Sequence, residues 1–317
     1  MFNVDDLYRL GEQILIDEHA IEEKAKVGTL RGGSAGALLY GKTPIGNCAR
    51  KSYLRFKGLT INDIELDRHL MLSAGLANED IWAKILDLSL PEGHKLLREE
   101  EIPAVYTLPS GVQITGRPDL VLQGPDGSLG IELKLVSSLW TAKDVLVDGT
   151  PKLLHLIQAG FYSKVLDLPW ELWYTSRVDF AVSREGWMQK LFYGIPEEYA
   201  EFRQDSKGNT VLNKVTPFRV GYRLTWKNNQ LLYTRVGSET ETHTVISWDS
   251  ILAYYQMIAD VDSKGVLPPR PTNVDATGKS GGYSMCDPKY CTYSESCDKY
   301  ETSLRKWVAS VELMRPE

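Results

Sequence analysis

A chain of 317 residues, 43% apolar and 25% charged, has ordinary globular composition and the length to bury a large core. Its formal net charge of −6 argues against a protein that coats nucleic acid by charge alone, yet leaves room for a basic groove beside carboxylates that carry cations. No apolar run is long enough to span a bilayer, and MFNVDDLYRLGEQILIDEHAIEEKAK lacks the pattern of a secretory signal or a transit peptide, so the expected location is cytoplasmic.

Residues 4–26 place apolar side chains at helical spacing, and GTLRGGSAGALLYG then reads as a glycine-rich loop without the GK[ST] ending of a phosphate-binding loop. A second helical pattern covers 67–88, where Leu72, Leu76, Ala83 and Leu86 share a stripe that also contains Glu79. VQITGRPDLVLQ and LGIELKLV read as two strands joined by the turn GPDGS. Pro151 opens a helix through Leu166, and ELWYTS is another strand, so strand, helix and strand in succession predict an α/β core. The stretch 192–246 reads as a β-rich insertion. Ser247 is the expected N-cap of a helix that stops at Gly265, and LPPRP leads into a turn-rich tail. The expected organisation is one domain over 1–317, with a core at 67–182, the insertion, and a C-terminal helix and cysteine segment at 247–317.

Side chains alternate along a strand, so Glu132 and Lys134 project together while Ile131, Leu133 and Leu135 project oppositely. On the preceding strand Asp119 has the parity opposite to Ile114, Leu120 and Leu122, and Arg117 shares the Asp119 face. Asp119, Glu132 and Lys134 then converge on one side of the hairpin. Two carboxylates and an ammonium fit a site where Mg²⁺ or Mn²⁺ is held by Asp119, Glu132 and the Leu133 backbone carbonyl, with Lys134 set to orient water or stabilise phosphate charge. A surface ion-pair ladder is the plainer alternative. Glu79 within an apolar stripe is either an exposed edge position or a carboxylate that needs a partner, which a cation would supply. Gln158 and Tyr162 share a helical face with His155, as a contact to the site or as a buried tyrosine with an amide partner beside an exposed histidine. Arg117 is a candidate phosphate contact. Trp140 is either a base-stacking or a packing residue.

Cys48 stands alone, whereas Cys286, Cys291 and Cys297 cluster in CDPKYCTYSESC. Four thiolates suit a structural Zn²⁺ or an iron–sulfur cluster, and spacing leaves that choice open. Three late ligands and one early one would tie the two ends of the chain together.

The order of these segments resembles the PD-(D/E)xK nucleases of RecB type that carry an iron–sulfur staple, including CRISPR-associated adaptation exonucleases and the nuclease domain of AddB-type helicase subunits. The likeness runs from Cys48 to Cys297, through CARKSYLRFKGL, GLANE, GRPDLVL, IELKLVSS, QAGFY and GVLPPRP. It implies a restriction-endonuclease-like core with a mixed central sheet flanked by helices. It implies metal binding by Glu79, Asp119 and Glu132, a catalytic Lys134, a QxxxY element of Gln158 and Tyr162, and a [4Fe–4S] cluster on Cys48, Cys286, Cys291 and Cys297. Glu79 stands where many members have histidine, and four residues separate Cys286 from Cys291 where two are common. The implied activity is a metal-dependent DNA nuclease, an exonuclease on single-stranded or frayed ends in recombination, repair or phage genome processing. CRISPR spacer processing and a non-cutting DNA-end scaffold are the alternatives.

Overall fold

The computed structural model describes residues 28–58, 66–98, 101–183, 185–275 and 277–278, with 66–72 as backbone alone. The expected 4–26 helix, Cys286, Cys291 and Cys297 lie outside the described residues. Strands β1 (Leu30–Arg31), β2 (Gly36–Leu39) and β3 (Thr43–Gly46) precede helices α1 (Ala49–Phe56) and α2 (Leu66–Ser89). Next come β4 (Lys95–Arg98), β5 (Ala104–Thr107), β6 (Gln113–Gly116), β7 (Leu120–Gly124), β8 (Gly127–Leu135), α3 (Leu139–Leu146), α4 (Leu153–Leu166) and β9 (Trp170–Ser176). The remainder holds β10 (Phe180–Ala181), α5 (Gly186–Leu191), β11 (Ala200–Gln204), β12 (Thr210–Val215), β13 (Phe218–Lys227), β14 (Gln230–Arg235), β15 (Glu241–Ser247), α6 (Trp248–Ala259) and α7 (Val261–Lys264).

The architecture is mixed α/β. A seven-stranded sheet runs β15-β14-β13-β9-β8-β7-β4 and is antiparallel throughout except for the central β8–β9 pair. A parallel pair needs a crossover, and α3 with α4 supplies it. Both faces at that centre are covered, so all seven residues of WELWYTS in β9 are buried. On one face Leu120, Ile131, Leu133 and Trp173 pack with Ala83 of α2. The larger core on the other face gathers Leu156, Ile157, Phe161 and Tyr162 of α4 with Trp170, Leu172 and Tyr174 of β9. Apolar residues surround α4 on several sides because it is sandwiched between the sheet, the glycine-rich segment and α6.

Three expectations change. The glycine-rich stretch is not a loop but forms β1, a single 3₁₀ turn and the β2–β3 hairpin. Its glycines admit large rings: a Cβ on Gly32 would lie 2.9 Å from the Phe161 ring, and one on Gly36 would lie 2.4 Å from Tyr254. VQITGRPDLVLQ is two strands in different sheets, because β6 pairs with β1 and β5 while β7 joins the central sheet. Pro118 at the break has no N–H to extend a ladder. The 192–246 stretch also divides: β11 and β12 join β10 in a small sheet, but β13, β14 and β15 extend the central one. Ser247 caps α6 through a reciprocal bond with Ser250, and Gly265 ends α7 in the left-handed conformation at φ 64.

Among the described residues no helix is long and apolar enough to cross a membrane. Gly130 of β8 is the tightest approach in the sheet, since a Cβ there would sit 2.1 Å from the Trp170 ring. Gly130→Ala is therefore expected to lower unfolding free energy by about 3 kcal/mol in urea titrations. Unchanged stability would contradict the packing described for β8 and Trp170.

Candidate active site

The β7–β8 register pairs Leu120 with Ile131, and continuing it one step sets Asp119 beside Glu132. Ladder pairing ends there. The Leu133 N–H, pointing to the edge that β7 has left, donates instead to Asp119 Oδ2 at 2.6 Å. N–H and C=O of one residue in an extended strand face the same edge, so the Leu133 carbonyl is turned toward Asp119 too. The interruption of strand pairing at Arg117 to Asp119 thus brings the Asp119 carboxylate to the Leu133 edge of β8.

Glu132 is 0% exposed and its Oε1 accepts a hydrogen bond from Lys134 Nζ at 2.5 Å. The surface ion-pair alternative is therefore excluded. Its other oxygen, Oε2, is buried without a hydrogen-bond partner among the described residues. Such an atom costs free energy unless something binds it. Burial first, and the Asp119 charge second, raise the Glu132 carboxyl above its usual range, with Lys134 offsetting part. Burial works against the Lys134 ammonium, but Glu132 and Asp119 more than offset it, so its pKa stays above the ordinary value.

Glu79 of α2 is half-buried and its charge reaches both Glu132 and Lys134. The stripe expected for this helix needs correction. Leu76 is 58% exposed, and the Leu72 side chain lies outside the described residues. The covered positions are Asn78, Trp82, Leu86 and Leu90 at steps of four, with Glu79 and Ala83 alongside. Asn78 is buried and donates its amide to Thr175 Oγ1 at 3.1 Å, which anchors α2 to β9.

Tyr162 closes the opposite side. Its hydroxyl oxygen receives hydrogen bonds from the Gln158 side chain and from the Arg117 backbone, so the two residues of QxxxY act on each other as well as on the site. Burial, then the Glu132 charge, raise its pKa and keep the phenol neutral. The ring fits only because position 116 lacks a side chain: a Cβ on Gly116 would come within 2.4 Å of it. The Arg117 side chain is exposed, and the strand break removes the parity that was expected to align it with Asp119.

His155 is not an exposed histidine. It is partly buried, with Nδ1 2.9 Å from the Tyr174 hydroxyl, whose oxygen accepts the Lys152 N–H at 2.9 Å. The Tyr174 hydroxyl thus joins the start of α4 to the His155 ring. Burial first, then the charges of Lys134 and Lys152, lower its pKa to about 3, so the ring is neutral at ordinary pH. Sequence reasoning missed Tyr174, although its parallel pairing with Lys134 follows once β8 and β9 are neighbours.

Among the described residues no three His, Cys, Asp or Glu side chains gather closely enough to hold an ion by themselves. Two carboxylates and the Leu133 carbonyl are the donors in place, and oxygen donors of this kind suit Mg²⁺ or Mn²⁺. The unpartnered Glu132 Oε2 fits that role. Cys48 is half-buried immediately before α1. The segment after α7 returns beside it, with Thr272 N–H on the Pro44 carbonyl and Arg50 Nε on the Pro268 carbonyl, both at 2.7 Å. No family model matches the chain, and no curated protein or solved structure matches it.

A carboxyl whose folded pKa is raised contributes stability below its unfolded value, and that contribution is lost as pH rises toward the folded value. Cation-free protein should therefore lose stability from about pH 4 upward through neutrality, with Glu132 adding a slope of up to about 1.4 kcal/mol per pH unit. Urea titrations across that range should show a flatter profile for Glu132→Gln and a higher stability near pH 7.5. An unaltered slope would rule Glu132 out as the strained group.

Proposed function

We propose that this chain is a metal-dependent DNA nuclease of the PD-(D/E)xK type, with a restriction-endonuclease-like core and Asp119, Glu132 and Lys134 at its centre. The observation that carries the reading is the fully buried Glu132, one oxygen held by Lys134 and the other unpartnered, beside Asp119. A buried structural ion pair would satisfy both oxygens, whereas a ligand for a cation keeps one available.

In this reading Asp119, Glu132 and the Leu133 carbonyl hold Mg²⁺ or Mn²⁺, which supplies positive charge at the scissile phosphate and acidity to the attacking water. Glu79 adds charge from α2 that favours a cation. Lys134, kept protonated by its carboxylate neighbours, donates to the phosphate as negative charge builds on it. Tyr162, neutral and fixed by Gln158, walls the site and keeps bulk water from the back of Glu132. His155, neutral and held by Tyr174, lies within reach of the Lys134 charge and restricts where that side chain can point. Arg117, exposed next to Asp119, is the candidate contact to a DNA backbone phosphate. The substrate in this reading is DNA, at ends that are single-stranded or frayed, as the resemblance to RecB-type nucleases implies.

Metal-dependent cleavage of labelled single-stranded and duplex DNA tests this directly. Wild-type protein with Mg²⁺ or Mn²⁺ is expected to cut, and Asp119→Ala, Glu132→Ala and Lys134→Ala to lose at least about a thousandfold in rate. Tyr162→Phe should fall by a smaller factor, on the order of tenfold, since it acts on the placement of other groups. A wild type that binds DNA ends but never cuts would point to the scaffold reading.

We also propose that Cys48, Cys286, Cys291 and Cys297 hold a [4Fe–4S] cluster, with structural Zn²⁺ as the alternative. The return of residues 268–272 alongside Pro44 and Arg50 supports it, since it brings the last described segment beside the Cys48 end of α1. Protein purified anaerobically should be brown and contain iron and sulfide, and Cys48→Ala should lose the colour and melt at a lower temperature. Colourless protein with one zinc would favour the alternative.

A further inference from the structure

Two tryptophans far apart in sequence meet at the surface. Trp140 opens α3 and is 55% exposed, and Trp187 in α5 is 51% exposed. Their rings stack with centroids 6.2 Å apart and planes 19° from parallel. Burying a large aromatic is worth roughly 2–3 kcal/mol, so two half-exposed indoles side by side are a costly surface for a fold to keep without use. Each is held in place rather than loosely attached. Ser138 caps α3 by accepting the Thr141 N–H at 3.1 Å, and the Trp187 indole N–H donates to Glu185.

Position gives the pair its meaning. β8 and β9 run parallel with Leu135 opposite Thr175, so both leave the sheet at the same end. Lys134 lies at that end of β8, and Trp140 follows six residues later, within about 20 Å along the chain. Arg177, just after β9, and Lys190, one turn beyond Trp187, are exposed there. The nearby acids are engaged: Asp144 with Lys152, Asp148 with Lys143, and Asp179 with Lys214. The surroundings thus combine two exposed indoles and two exposed cations with one carboxylate, Glu185, which the Trp187 indole N–H engages. Stacked rings beside Arg and Lys are the combination that accepts bases and their phosphates.

We propose that Trp140 and Trp187 form a stacking platform for an unpaired base of a nucleic-acid strand whose backbone runs to the Glu132–Lys134 site. The inference rests on the nuclease reading for its substrate, but its test does not require cleavage. Bases in a duplex have both faces covered by neighbours, so the platform selects a single strand or an opened end. Every base has an apolar face, so the preference is for unpaired structure and not for sequence.

The test is binding of a fluorescent oligothymidylate and of an abasic strand of equal length, by anisotropy in buffer without divalent cations. Wild type should bind the thymidylate about tenfold more tightly than the abasic strand. Trp140→Ala and Trp187→Ala should each erase that preference by weakening thymidylate alone, and Trp140→Phe should restore most of it. Thermal melting checks folding, and if an alanine variant is unfolded, the thymidylate-to-abasic ratio of wild type and of Trp140→Phe decides. Equal affinity for the two strands in wild type, no binding of either, or alanine variants that keep the preference would each overturn the platform. So would a change in sedimentation mass without a change in oligonucleotide affinity, which would mark a self-association face. Base-dependent binding by a protein that never cuts would leave the platform standing and remove the nuclease reading.

Discussion

Burying the Glu132 carboxylate is the constraint on which the centre of this molecule depends. Withdrawing a carboxylate from water costs several kcal/mol even after relaxation, and a single lysine recovers only part of it. The surrounding structure keeps the pair in place because it has little room to yield. Gly130 lets Trp170 lie flat against β8, Gly116 admits the Tyr162 ring, and α4 closes the face with wholly buried Leu156, Ile157 and Phe161. Residual strain sits on one oxygen, Glu132 Oε2, and strain held in place by a rigid shell is a common property of functional sites.

The arrangement of Asp119 beside that oxygen comes from a strand that stops early. β7 begins at Leu120, so Asp119 is free of ladder geometry and its carboxylate can take the Leu133 N–H. The same break sends β6 into a different sheet and leaves the Arg117 N–H for Tyr162. A continuous strand would have satisfied Leu133 through backbone pairing and kept the Asp119 carboxylate from that edge. The break makes a site out of what would otherwise be an ordinary hairpin.

Early and late segments of the described fold are also fastened together around this centre. Tyr53 donates to Asp262 at 2.6 Å and Lys57 contacts the same carboxylate at 2.7 Å, fastening α1 to α7. Tyr255 donates to the Arg31 carbonyl at 2.8 Å, fastening α6 to β1. The early glycine-rich segment and the late helices thus brace α4 together, which ties the QxxxY face to both termini of the described fold. A cysteine staple at this place would reinforce contacts that already exist.

The sequence by itself determined the local elements and their chemistry. Alternation placed Glu132 with Lys134, turn residues at Pro125 to Gly127 defined the β7–β8 hairpin, the 3.6-residue period put Gln158 with Tyr162, and Ser247 and Gly265 marked helix ends. These signals are carried by neighbours within about one turn or one strand pair. Only the tertiary structure decided that the hairpin is covered on both faces, which changed Glu132 from a surface residue into a buried one. It also decided that β13 to β15 extend the central sheet, that the glycine-rich stretch is paired strand and not loop, and that Trp140 meets Trp187. Each of these depends on which distant segment arrives to pair or to cover. Long-range pairing is set by the sum of many weak burial terms, and no short stretch of sequence contains that sum.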